Sequence, residues 1–172
     1  MEILRRLRKL PKVKRVFIRS GIRFDYLIQD KDQEFFQELV RHHVSGQLKV
    51  APEHCSAAVL DAMGKTHIEA YLRFARRFYG ITKEAGKEQY LVPYLMSSHP
   101  GSTLKDAVEL ALFLKREKIR PEQAQEFLSY PGHIPPVCFT RWIRYTMKEV
   151  YVAKTEKERL CKRALASIFQ SQ

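Results

Sequence analysis

No run in the 172 residues approaches the 18 or so uninterrupted apolar side chains of a membrane-crossing helix. The opening Met1-Glu2-Ile3-Leu4-Arg5-Arg6 passes straight into charge, without the apolar centre of a signal peptide. A cytoplasmic protein with no membrane partner is the expectation. Cysteine is scarce: Cys55, Cys138 and Cys161 stand 83 and 23 residues apart, an odd number without the close spacing of a zinc or iron–sulfur site. Neither a disulfide framework nor a metal site is expected of this chain. The six histidines form no H-x-x-x-H pair, and the seven glycines build neither a Walker loop nor a dinucleotide-binding turn.

Acidic side chains are also in deficit. Against 19 Asp and Glu stand 31 Lys and Arg, and the net charge of +12 favours anionic partners without choosing among nucleic acid, nucleotides and acidic proteins. Residues 1–23 hold nine basic side chains and one acidic, whereas 47–114 hold eight and seven. What is plentiful is apolar material, 45% of the residues, enough for one domain over 1–172 with a core of its own.

Hydrophobic periodicity alternates between helix and strand four times. Residues 1–10 put Ile3, Leu4, Leu7 and Leu10 on one helical face, and Val13–Ile18 reads as a first strand ending in the loop 19–25. Asp32 caps a helix with Phe35, Phe36, Leu39, Val40 and His43 inward, ahead of the strand Gln47–Ala51. Ser56 opens a short helix that Gly64 ends. A longer one from Thr66, with Glu69 at the capping-box position, places Ile68, Tyr71, Leu72, Ala75 and Tyr79 inward. The strand Gln89–Met96 is apolar on both faces, and its Pro93 argues for a bulge or an edge. A helix over 103–117, a fourth strand Gln123–Leu128, an ambiguous stretch 137–153 and a helix from Thr155 complete the chain. That last helix is expected to bury Leu160, Cys161, Ala164, Leu165, Ile168 and Phe169, and 153–172 reads as a terminal helical extension.

Strand–loop–helix repeated four times implies an α/β fold with right-handed crossovers and a parallel sheet. Ligands of such folds gather at the carboxyl ends of the strands. There the chain offers Arg19, Ser20, Arg23 and Asp25, then Glu53 and His54, then Ser97, Ser98 and His99, then Ser129. Arginines, carboxylates and imidazoles converging on one mouth suit a zwitterionic or phosphorylated small molecule, because a guanidinium forks onto carboxylate or phosphate while Glu accepts from amines and hydroxyls. Taken singly, each is as readily a helix cap or a loop solubiliser. Ser98-His99 lacks a strained G-x-S-x-G elbow and argues against a hydrolase, and His42-His43 at a helix end read as structural.

The segments RSGIRFD (19–25), HHVSGQLKVAPEHCSAAVLDAMGK (42–65), GKEQYLVPYLMSSHPGSTLKDAVELALFLK (86–115) and YTMKEVYVAKTEKERLCKRAL (145–165) resemble the carboxyl-terminal half of the YgiQ-like radical S-adenosylmethionine (SAM) proteins. SHPGST resembles the F-P-G-E-T turn of radical SAM methylthiotransferases, and APEH followed by VLDAMGK resembles their strand-end segment followed by V-L-x-x-M-N-R. The resemblance implies a partial (βα) barrel of about four parallel units, half of a TIM-like barrel, holding SAM at the strand ends. Glu53 or His54 would contact SAM, Lys65 would reach its carboxylate, and Arg19, Arg23 and His99 would add ligand contacts. Tyr94 stands where the family has an acidic ribose contact, and HIPPVCFTRWIR (133–144) departs from the expected small Thr-rich loop.

The C-x-x-x-C-x-x-C loop that ligates the family's [4Fe–4S] cluster does not occur in 1–172. The resemblance therefore implies a carboxyl-terminal part that binds SAM and shapes the pocket of an unknown substrate. Its radical chemistry would depend on an amino-terminal half, and self-association would be the substitute for that half. The alternatives are a non-catalytic basic module that binds RNA or an acidic protein, and an inactive remnant.

Overall fold

The computed structural model describes residues 2–30, 34–121, 124–127, 151–153 and 155–167. In chain order the elements are α1 (Glu2–Arg8), α2 (Phe24–Gln29), α3 (Glu34–Glu38) running into a π turn (Leu39–His43), β1 (Gln47–Glu53), α4 (Ala57–Met63), α5 (Ile68–Glu84), β2 (Tyr90–Ser97), α6 (Leu104–Arg116), β3 (Ala124–Glu126) and α7 (Glu156–Ser167). The three strands form one open sheet in the order β1-β2-β3, so the sheet does not close on itself. Two compact units divide the chain, one of residues 1–51 with 69–92 and the other of 52–68 with 93–172. Each of the first two strands passes from one unit to the other at a proline, Pro52 and Pro93.

The first unit is built on aromatic rings. Phe36 stacks on Phe74 at 5.0 Å with the planes 4° apart, Phe24 lies 5.8 Å from both Tyr71 and Phe74, and Phe78 follows 6.3 Å beyond. This fixes the buried face of α5 as Ala70, Tyr71, Phe74, Phe78 and Ile81. The expected face of Ile68, Tyr71, Leu72, Ala75 and Tyr79 shares only Tyr71 with it. The helix is turned about one position because two phenylalanines remove more apolar area from water than the smaller stripe does. Tyr79 is 46% exposed, and its hydroxyl accepts from the Leu91 amide. Buried Gln89 donates to the carbonyls of Val40 and Val44, 3.0 Å each, and accepts from the Thr82 hydroxyl, closing the orphan carbonyls where the π turn ends.

Val13–Ile18 is not a strand. The segment is extended, tied by the Ile18 amide to the His43 carbonyl (2.9 Å) and by the His43 Nδ1–H to the Val16 carbonyl (2.8 Å). Val13 and Phe17 are exposed, Val16 and Ile18 on the alternate positions are only half-buried, and the segment's hydrogen bonds go to His43 rather than into a ladder. The sheet contact falls instead at Ile22, which makes a single parallel bridge to Val50, and α2 begins within the expected loop, at Phe24. The expectation of four strand-and-helix units is thus reduced to three strands among the described residues.

In the second unit, β2 pairs with β3 in parallel, Leu95 opposite Ala124 and Ser97 opposite Glu126. Pro93 sits buried in the central strand rather than at an edge or bulge; one missing donor is the cost, and burial of the strand offsets it. Thr103 and Asp106 form the capping box of α6. α7 packs on α6 and β3 and buries Lys162 and Ala166, while Arg159 and Arg163 reach Glu126 at 3.6 and 3.4 Å. The expected face of α7 is on the outside: Leu160 is 44% exposed, and Cys161 and Ala164 are exposed too. The Asp32 cap, the strand ends Gln123 and Leu128, Ser129, Cys138, Ile168, Phe169, the loop 131–136 and residues 137–150 lie outside the described residues.

Candidate functional site

Among the described residues, eight polar or charged side chains are buried in the second unit: Glu53, His54, Ser56, Ser97, Ser98, His99, Ser102 and Lys162. Most stand at the carboxyl ends of β1 and β2, where parallel sheets place ligands. Glu53 has φ +67° and Ser98 has φ +61°, backbone conformations that non-glycine residues adopt at a cost of about 1–3 kcal/mol and that cluster at functional sites. The bend at Glu53 is closed by the His54 amide on the Pro52 carbonyl at 2.8 Å, a three-residue turn of the strained, positive-φ form.

That turn aims the Glu53 carboxylate. Oε1 accepts from Lys65 Nζ at 2.7 Å, whereas Oε2 is buried without a hydrogen-bond partner, as is the hydroxyl of Ser98. Buried oxygens left unpaired cost free energy and require an explanation such as a ligand. Lys65 is delivered by the end of α4. Gly64 adopts the left-handed conformation, φ +66° and ψ 35°, the Lys65 amide returns to the Leu60 carbonyl at 2.9 Å, and the chain turns the lysine back over Glu53.

The imidazoles beside this carboxylate are neutral. His54 Nδ1 accepts from the Ser56 amide at 3.0 Å, which puts the proton on Nε2, and burial pulls its pKa down to about 4. His99 is lowered by burial too; its Nδ1–H donates to the Pro100 carbonyl at 2.8 Å, and its ring meets Phe127 edge-on at 5.0 Å. Ser56 occupies the cap position of α4 but donates its hydroxyl to Asp106 Oδ1 at 2.7 Å, and Asp106 Oδ2 receives the Thr103 amide and hydroxyl. Burial acts to raise the Asp106 pKa, and these hydrogen bonds outweigh it, so the carboxylate stays ionised. One anion thus straps the segment after β1 to the turn after β2.

Lys162 is the most deeply buried cation among the described residues, 1% exposed. Its ammonium donates to the Ser102 carbonyl at 2.6 Å, lies 3.5 Å from Glu158 and sits 4.7 Å over the Tyr151 ring, with burial lowering its pKa. The Gly101 amide, at φ +91°, donates to the Tyr151 carbonyl at 2.7 Å. The turn Ser98–Thr103 is therefore held from below by α7 and from the side by Asp106.

Of the residues singled out from the sequence, Glu53, His54, Lys65 and His99 come together here, and Tyr94 lies half-buried on β2 in the same unit. Arg19 and Arg23 belong to the first unit. Arg19 is exposed; Arg23 forks onto Asp25 at 2.9 and 2.6 Å and lies 4.6 Å over the Tyr26 ring, an arrangement that also holds the Asp25 carboxyl below its usual range. Sequence reasoning missed Asp106 and Lys162. The T-x-x-D pattern at 103–106 marks Asp106 as a cap, but nothing in the sequence marks its second bond to Ser56.

Among the described residues no group of three or more His, Cys, Asp and Glu is arranged to hold a metal ion, and no helix is long and apolar enough to cross a membrane. Cys55 is buried, with its thiol pushed up to about 12 chiefly by burial, and Cys161 lies exposed on α7.

No family model matches the chain. Among curated proteins, a UPF0313 protein of Clostridium botulinum strain Loch Maree is 53% identical over 166 residues, 96% of this chain and 26% of that protein. UPF0313 proteins of the Okra strain and of Clostridium perfringens are each 52% identical over 166 residues. UPF0313 is the YgiQ-like family. The chain thus spans about a quarter of the length of the curated relatives it matches, and over that quarter about half of its residues are identical to theirs.

Proposed function

We propose that the second unit binds S-adenosylmethionine at the ends of β1 and β2 and supplies ligand contacts for iron–sulfur-dependent radical chemistry, as the carboxyl-terminal part of a radical SAM barrel. The observation that carries the reading is the pair of buried, unpartnered oxygens, Glu53 Oε2 and Ser98 Oγ, on two strained strand ends. SAM presents an ammonium group and ribose hydroxyls, the donors that a carboxylate oxygen and a serine hydroxyl accept from.

Lys65 neutralises one oxygen of Glu53 and, being partly exposed, can swing its ammonium toward a ligand carboxylate. Neutral His54 and His99 line the site without adding charge that would repel a sulfonium. Asp106 and Lys162 hold the two strand-end segments in place.

A [4Fe–4S] cluster with SAM bound supplies one-electron chemistry that abstracts hydrogen from a substrate. The described cysteines do not fit such a cluster. A thiol raised to about 12 is a poor source of thiolate, and Cys161 stands alone on a helix surface. In this reading the cluster ligands come from sequence outside these 172 residues, and this chain's part is to bind and orient SAM.

Calorimetric titration of the chain with SAM tests it. Saturable binding is expected. Glu53→Gln and Ser98→Ala should each weaken it by about 1–3 kcal/mol through loss of an acceptor, and Lys65→Ala should weaken it by a similar amount. No heat of binding in the unsubstituted chain, or equal affinity in all four proteins, would overturn the reading.

A further inference from the structure

The first unit carries 17 basic and 9 acidic side chains, against 14 and 10 in the second, so it holds +8 of the net +12. Part of this excess lines a concavity of about 580 Å³ formed by Arg8, the extended segment Lys14–Phe17, Arg41 and His42 of the π turn, and the turn at Lys87–Gln89. We propose that this concavity is a binding track for single-stranded nucleic acid, with Lys14, Arg15, Arg41 and Lys87 on its phosphates and Phe17 as a stacking face for a base.

The geometry fits a polymer of phosphates. A second concavity of about 480 Å³ shares Arg8, Arg41 and His42 with the first and adds Arg5 and Lys9, so basic side chains continue from one into the other. The charges of the two differ in availability. Arg5 and Arg8 are engaged by Glu34 and Glu38, and Arg41 lies 3.8 Å from the exposed Glu84, but Lys14 and Arg15 have no carboxylate partner among the described residues. Glu88 is the one acidic residue among those that line the larger concavity. Burial first, and then the nearby charges of Arg8 and Lys87, lower the pKa of His42, a sign of the positive potential there.

The track is also held in shape. His43 fastens Val16 and Ile18 to the π turn, and Lys87 Nζ donates to the Arg41 carbonyl, so the basic segments on either side are fixed before any ligand arrives. Preorganised cations spend less conformational entropy on binding. Phe17 is 39% exposed between Arg15 and Arg19, and an aromatic face set among cations is the pattern that receives unstacked bases. A docked acidic helix would need an apolar groove, and this lining is mainly polar.

The experiment is fluorescence anisotropy of a labelled single-stranded oligoribonucleotide of about 16 residues titrated with the full 172-residue chain over a series of salt concentrations. Affinity should fall linearly on a log–log plot. Lys14→Gln with Arg15→Gln should weaken binding about tenfold or more at low salt and make the slope shallower by about 1.4, the value for two lost phosphate contacts. Lys105→Gln with Lys157→Gln removes the same charge from exposed sites in the second unit and should leave both unchanged. Phe17→Leu should weaken binding of the oligoribonucleotide severalfold and leave inorganic polyphosphate binding unaffected.

Equal effects of the two charge pairs would show attraction to the whole molecule and overturn the proposal, as would binding insensitive to salt or an inert Phe17→Leu. Displacement of the strand by poly-L-glutamate as readily as by unlabelled RNA would assign the track to an acidic polypeptide and overturn it as well.

Discussion

The two units dispose of charge in opposite ways. In the first, five aromatic rings fill the interior and cations stand outside, several without a partner; in the second, a carboxylate, two imidazoles, serines and a lysine are inside and almost fully hydrogen-bonded. Burial of polar groups is costly unless each is paired. The second unit accepts that cost next to two strained strand ends, and its two unpaired buried oxygens, Glu53 Oε2 and Ser98 Oγ, lie at those ends, while a third unpaired atom, Arg159 Nε on α7, faces Glu126. The first unit buries fewer polar groups, Thr82 and Gln89 hydrogen-bonded to each other and His43 with its Nε2 unpaired, and most of its charge is on the surface. The contrast separates the proposed small-molecule site, made by desolvation, from the proposed polyanion track, made by exposure.

The most damaging way to probe the first half of this contrast is Phe74→Ala. The ring is fully buried, stacked on Phe36 and flanked by Phe24 and Phe78, so its removal leaves a cavity that rigid neighbours cannot fill. A loss of about 3–5 kcal/mol is expected in denaturant unfolding. A loss below about 1 kcal/mol would mean that the aromatic stack is not the core of this unit.

The buried polar groups of the second unit should reveal themselves through acid. His54 has a folded pKa of about 4 against an ordinary 6.5, so between these values the unfolded chain binds more protons than the folded one, and stability falls as pH falls. Across that window the loss from this residue amounts to about 3 kcal/mol, and His99, also lowered by burial, adds in the same direction. Unfolding midpoints measured at pH 7 and pH 4.5 should differ less in His54→Gln than in the unsubstituted protein. Identical pH dependence in the two would show that His54 is hydrated in solution and would blur the contrast.

How much of this was legible in sequence follows the same division. Elements governed by local chemistry were readable: Gly64 ending α4, β1 after Ser45-Gly46, and α6 between Thr103 and Arg116. Choices made by tertiary packing were not. α5 offers two apolar stripes one position apart, and only the presence of Phe36 and Phe24 selects the one with Phe74 and Phe78. On α7 the long lysine reads as solvent-facing by every rule of amphipathicity, yet a carbonyl at 2.6 Å and an aromatic ring draw it inside. At Val13–Ile18 the residues suit a strand, but the bonds that hold the segment come from His43 rather than from a neighbouring strand. Among the candidate site residues, Glu53, His54 and His99 are legible because strand ends are marked by local turn chemistry, whereas Lys65, beyond the end of α4, is suggested only by the family resemblance. Arg23 is engaged by Asp25 and Tyr26, an interaction two and three residues away that the sequence shows only as proximity.

The smallest effect tests whether the polar site is held by backbone geometry rather than by side chains alone. Gly64 is left-handed, and a Cβ built there would meet nothing within 4 Å, so the cost of Gly64→Ala is conformational and free of steric contact. About 1–2 kcal/mol is expected, because an L-residue with a Cβ is disfavoured in that region by this amount. Gly64→Asn should recover most of it, since the short amide tolerates the same dihedral angles. The functional readout is separate from the stability readout. If the turn at Gly64 delivers Lys65 to Glu53 Oε1, Gly64→Ala should also weaken SAM binding, by less than Lys65→Ala does, and Gly64→Asn should restore it. Loss of stability with unchanged SAM affinity would show that Lys65 finds Glu53 without the turn, and would move the origin of the site's geometry from the end of α4 to the strained bend at Glu53 itself.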